Sequence, residues 1–164
     1  MEDFLKKMEE KVEHFDKLVN KLKDEIAQVD AELRKVKEEL ASIEEEIITV
    51  AKQKKEHEHR IHEILGKLKR IQKATLQAQT EREIEMLERD RIRLMQELRH
   101  HDEELAKLKE RYEELTNKEM KLLDKEMELE EKKTKLLHQK EIYLARLEHI
   151  LATLQKKIDQ FRHN

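Results

Sequence analysis

The side chains in this sequence best equipped for chemistry are histidines. His57, His59, His62, His100 and His101 form two clusters, with Lys54 just ahead of the first. Imidazoles bind transition metals and titrate near neutral pH, so a metal site or a protonation switch is one reading. The other is a polar layer that fixes the register of an apolar seam at some cost in stability. No His pair has i, i+4 spacing backed by a carboxylate motif of known type, which favours the layer, formed by Lys54, His57 and His101. No metal ligand and no cofactor is assigned. A second group is cationic: Arg60, Lys67, Lys69, Arg70 and Lys73 are opposed only by Glu63. Lys67, Lys69, Arg70 and Lys73 make a basic patch suited to an acidic protein or a phosphate backbone, but it has no aromatic for stacking on bases. A solvated helix end is the plainer account of such a charge run.

Other reactive constellations are missing from the sequence. It has no Cys, no Gly-rich phosphate loop and no Ser/His/Asp arrangement, so it points away from an enzyme. The absence of Cys also removes a disulfide framework and fits a reducing compartment. No run approaches the apolar length of a signal sequence or membrane span, so a soluble, cytoplasmic chain without membrane insertion is expected.

What must position these side chains is helix. Of 164 residues 46% are charged and 37% hydrophobic, with one Gly and no Pro, a composition of long helices rather than of a layered domain. The formal net charge of −3 gives no global attraction to nucleic acid or to an anionic membrane. Disorder would suit so polar a chain, but strict seven-residue spacing argues against it.

From Leu5 to Thr75 one series of apolar residues recurs every seventh position (Val12, Val19, Ile26, Leu33, Leu40), interleaved with a second (Met8, Phe15, Leu22, Val29, Val36). These are heptad a and d positions. A new pair of series starts at Ile84 and Leu87. From Thr75, the last position of the first seam, to Ile84 is nine residues, which at about 100° per residue puts the second seam on the opposite side of an unbroken helix. The chain therefore turns, and residues 76–80, in the least charged octet, are the expected loop. Residues 1–75 and 81–164 are the expected helices. Thr80 and Glu83 have the spacing of a capping box at the start of the second. Gly66 is a candidate for a local bend or close helix approach.

Flanking charges choose the orientation. Folded antiparallel with residue numbers totalling about 157, Glu25 faces Lys132, Glu32 faces Lys125, Glu39 faces Lys118, Glu46 faces Arg111, Arg60 faces Glu97 and Lys67 faces Asp90. All six are opposite in sign, whereas a parallel homodimer sets Glu25 against Asp30 and Glu39 against Glu44. The same register pairs Leu40 with Leu115, Val50 with Leu105 and Ile71 with Ile84, and puts Lys54 opposite His101.

Away from the loop the pattern loosens. Glu119, Glu126, Lys133 and Lys140 occupy seam positions opposite Val36, Val29, Leu22 and Phe15, while Met120, Leu123, Met127, Leu137 and Leu144 lie off the seam. The step from Leu136 to Leu147 reads as a stutter, after which Leu147, Leu151, Leu154, Ile158 and Phe161 resume a stripe. Leu22, Val29, Val36, Met120, Leu123, Met127 and Leu137 are accordingly the expected protein-interaction surface at the base, the loop-proximal half being self-sufficient.

After the loop, Thr80, Glu81, Arg82, Glu83, Ile84, Glu85, Met86 and Leu87, then Asp90 and Ile92, resemble the stretch opening the second helix in a bacterial family of coiled-coil hairpins with a C-terminal zinc ribbon. Lys67 to Ile71 is similar to that family's first-helix end. The resemblance implies a cytoplasmic adaptor, linked in some members to flagellar or type III secretion assembly and to an alternative sigma factor. With no Cys, the zinc ribbon and any zinc or nucleic-acid role are not carried over.

The expected fold is all-α, a long antiparallel two-helix coiled-coil hairpin dimerising through its base. The expected function is a non-enzymatic scaffold or adaptor binding protein partners, with a homodimer as the oligomer. A structural rod or filament subunit is the alternative, and nucleic-acid contact through the basic patch is a further one.

Overall fold

A computed structural model describes residues 2–163; Met1 and Asn164, assigned to helix by the sequence pattern, lie outside the described residues. It contains two α-helices packed antiparallel, α1 (Glu2–Gln77, 76 residues) and α2 (Glu81–His163, 83 residues). Glu2 and Asp3 in the first turn of α1, and Arg162 and His163 in the last turn of α2, complement the helix dipoles.

The connection is shorter than residues 76–80. Helix α1 continues through Leu76 and Gln77, leaving Ala78, Gln79 and Thr80 between the helices. The extra residues are held by the Ala78 N–H donating to the Thr75 carbonyl. At the start of α2 the Thr80 hydroxyl accepts from the Glu83 N–H at 3.2 Å. The Glu83 carboxylate reaches back to accept from the Gln79 N–H at 3.3 Å, one residue ahead of the usual reciprocal partner. The capping box therefore closes with its second arm displaced.

The chain divides into two compact units: unit 1, Met1–Glu39 with Leu122–Asn164, and unit 2, Leu40–Lys121. In unit 1 the core is built from Val19, Leu22, Val29, Leu33 and Val36 of α1 and Leu129 of α2, all buried. In unit 2 it is built from Leu40, Val50 and Ile64 against Leu94, Leu105 and Leu115, and Leu115 at 1% exposure is the most deeply buried large side chain. The residues that register sets opposite each other, Leu40 with Leu115 and Val50 with Leu105, are thus buried together in one unit. Ile71 and Ile84 are different: Ile84 is exposed, so the seam does not close on it.

Cross-helix ion pairs support the orientation with different partners from those expected. Of the six flanking pairs, Glu46 with Arg111 is the one closed to ion-pair distance among the described residues, at 2.9 Å. The opposite flank supplies Lys37 with Glu130 at 3.7 Å, and Asp30 takes Lys133 at 2.7 Å. Long exposed side chains lose rotamer freedom when they pair, so most flanking charges stay solvated.

The stutter between Leu136 and Leu147 is not present. Tyr143 and Ile150 continue the seam at seven-residue intervals from Leu136, all three half-buried. The Tyr143 ring lies 5.9 Å from that of Phe15. Leu151 and Phe161, expected on the resumed stripe, are exposed.

Gly66 admits no close neighbour. No described residue has a positive φ, and a Cβ at Gly66 would meet nothing within 4 Å.

Candidate functional site

The polar layer lies in unit 2, where α1 and α2 each bring one histidine to the seam. His57 and His101 face each other with their Nδ1 atoms 2.8 Å apart and ring centroids 5.1 Å apart. Both are half-buried. At this separation one Nδ1 carries the hydrogen and the other accepts it. His100 packs edge-on against His101, with centroids 5.5 Å apart. Burial holds the His101 pKa below the ordinary imidazole value, reinforced by positive charge at His57, His100 and Arg60 and partly offset by Glu97.

Lys54 does not join this pair. Its ammonium sits 4.4 Å from the centre of the Tyr112 ring, a cation–π contact that draws the flexible stem away from the imidazoles. The layer as expected, Lys54 with His57 and His101, is therefore two separate polar contacts. His59 is exposed and turns to Glu63 at 3.0 Å, and His62 is exposed. Among the described residues no three His, Cys, Asp or Glu side chains converge as a metal would require.

The basic patch stands in solvent. Lys67, Lys69, Arg70 and Lys73 are all exposed and none has an ion-pair partner within 4.0 Å among the described residues. What the sequence reading missed is the apolar surface in the same unit: Leu76 is 83% exposed, and Met86, Ile92 and Met95 are exposed as well. The signal was available, since Ile92 and Met95 fall off the seam by the same heptad count that singled out Leu123 and Met127. Unit 2 is thus not free of uncovered apolar side chains, as had been expected of the loop-proximal half.

In unit 1 the expected interaction surface separates into two sets. Leu22, Val29 and Val36 are 6%, 2% and 3% exposed, and they are core, not surface. The polar seam residues opposite them, Lys133, Glu126 and Glu119, are half-buried. Long side chains lay their methylene stems over valines while keeping the charged head in water, so a charge at a seam position does not leave the facing valine wet. The Lys133 ammonium bonds Asp30 at 2.7 Å, which raises its pKa above the usual lysine value.

The α2 residues of the expected surface are exposed. Leu123, Leu137, Leu144 and Leu151, spaced at multiples of seven along one edge of α2, are 41%, 39%, 38% and 52% exposed, and Met127 beside them is 64% exposed. The vacant seventh place is Glu130, which pairs with Lys37. Met120, within unit 2, is also exposed. Elsewhere in unit 1 an open groove is floored by Phe15, Ile142, Ala145 and Ile150 and edged by Lys11, His14, Arg146 and His149. Arg146 lies 5.8 Å over the Phe15 ring.

No helix among the described residues is long and apolar enough to cross a membrane. No protein-family model, curated protein or solved structure matches the chain.

Proposed function

We propose that this chain is a non-enzymatic coiled-coil scaffold that dimerises through unit 1 and thereby presents its helices to protein partners. One observation carries the reading: the leucine edge of α2, Leu123, Leu137, Leu144 and Leu151, stays uncovered although the seam beneath it is already filled by α1. Seven-residue spacing along one helix edge is the pattern by which a further helix is engaged. An apolar strip of that length is seldom left in water on a monomer.

Light scattering on the purified chain tests this, using Leu137→Glu/Leu144→Glu as the contrast. The wild type is expected at the mass of two chains and the variant at one, with unchanged helical circular dichroism. A wild-type mass of one chain at every concentration, or a variant that keeps the wild-type mass, sinks the proposal. Mass that climbs without limit as concentration rises supports the filament alternative instead.

A further inference from the structure

In unit 2 two histidines, one from each helix, meet inside the seam. The fully buried core is interrupted on both sides of this contact. On α1 no side chain between Val50 and Ile64 is fully buried, and on α2 none between Leu94 and Leu105. His57 and His101 occupy the middle of this interval, Nδ1 to Nδ1 at 2.8 Å.

We infer that this pair makes the unit 2 seam a proton-sensitive joint, closed while at least one facing Nδ1 is unprotonated and opened locally once both rings carry a proton. The geometry requires it, because the contact is a hydrogen bond only if one nitrogen offers a lone pair. A first proton is accepted readily, giving an imidazolium that donates to its neutral partner. A second proton removes the acceptor and sets two cations ring to ring in a half-buried seam.

The surrounding charges point the same way. From α1, His57 and Arg60 face His101; from α2, His100 opposes the second charge and Glu97 alone favours it. Lys54, on the preceding turn of α1, is turned to Tyr112 and contributes no acceptor.

The sign follows from linkage. In the unfolded chain both imidazoles protonate near about pH 6.5, whereas folded His101 is held lower. The unfolded state therefore binds more protons as pH falls. The contribution of the closed pair is complete above about pH 6.5 and is lost progressively below it, until His101 itself protonates.

The test compares urea midpoints at about pH 7.5 and about pH 5.5, on either side of the ordinary imidazole value. It uses the full chain with wild type, His57→Gln, His101→Gln and the double variant. The wild type should lose more of its midpoint on acidification than the double variant, and each single substitution should remove most of that excess. Equal losses in wild type and double variant overturn the inference, because the remaining histidines are common to both.

Should the variants fail to fold, the wild type alone decides. Followed by histidine NMR, one ring of the pair should stay neutral well below the other, and amide exchange should quicken around Val50–Ile64 and Leu94–Leu105 while the Val19–Val36 segment is unchanged. Two rings titrating together near about pH 6.5, with the unit 2 amides unmoved, overturn it equally.

Discussion

Leu115 tests the packing of unit 2 most sharply, because at 1% exposure it has the most to lose on truncation. Replacing it with Ala removes three carbon atoms from the seam, a transfer loss of about 2 kcal/mol at about 0.8 kcal/mol per buried methylene. The cavity left behind adds to this. A two-helix seam can collapse only partly onto a missing leucine without dragging the neighbouring layer out of register. A total near about 3 kcal/mol, within the about 2 to 5 kcal/mol seen for buried leucines, is therefore expected. Urea unfolding followed by circular dichroism measures it. With a slope of about 1 to 3 kcal/mol per molar, the midpoint should fall by roughly 1 to 3 M at unchanged slope. Met127→Ala is the internal reference, since that side chain is 64% exposed. Its change should stay within about 0.5 kcal/mol, as for surface positions generally. If the two substitutions cost the same, Leu115 is not packed as described and the antiparallel register is wrong.

Two further outcomes follow from the connection and its approach. Gly66→Ala should stabilise the chain by about 1 kcal/mol, because the position is helical, has no positive φ and leaves open space for a methyl group; a loss of stability in thermal unfolding would contradict that geometry. Thr80→Ala should cost about 1 kcal/mol by freeing the Glu83 N–H at the start of α2, with Thr80→Ser retaining most of the stability; equal melting points for all three chains would show that the cap contributes nothing.

Much of the fold was legible because heptad spacing reports which face of a helix must be covered, and the phase jump between Thr75 and Ile84 reports that the chain reverses. The capping box was legible for the same local reason. Side-chain reach was not. Glu119, Glu126 and Lys133 read as gaps in a seam, yet they are half-buried and the residues facing them, Val36, Val29 and Leu22, are core rather than surface. Tyr143 did not enter the heptad count, although its ring fills the place that made a stutter look necessary. Charge pairing was over-read for the opposite reason, since opposite sign at matching positions sets orientation without obliging the two groups to touch. The histidine pair was legible as a polar interruption, but the direct contact of His57 with His101, and the departure of Lys54 to Tyr112, depend on rotamers that spacing does not encode.

The short link Ala78–Thr80 also orders events in time. Side chains beside it can meet almost as soon as they leave the ribosome, while Phe15 must wait for Tyr143, more than a hundred codons later. At translation speeds of about 5 to 20 residues per second that delay is on the order of ten seconds. Until then the first turns of α1, around Phe15, wait in water for the end of α2.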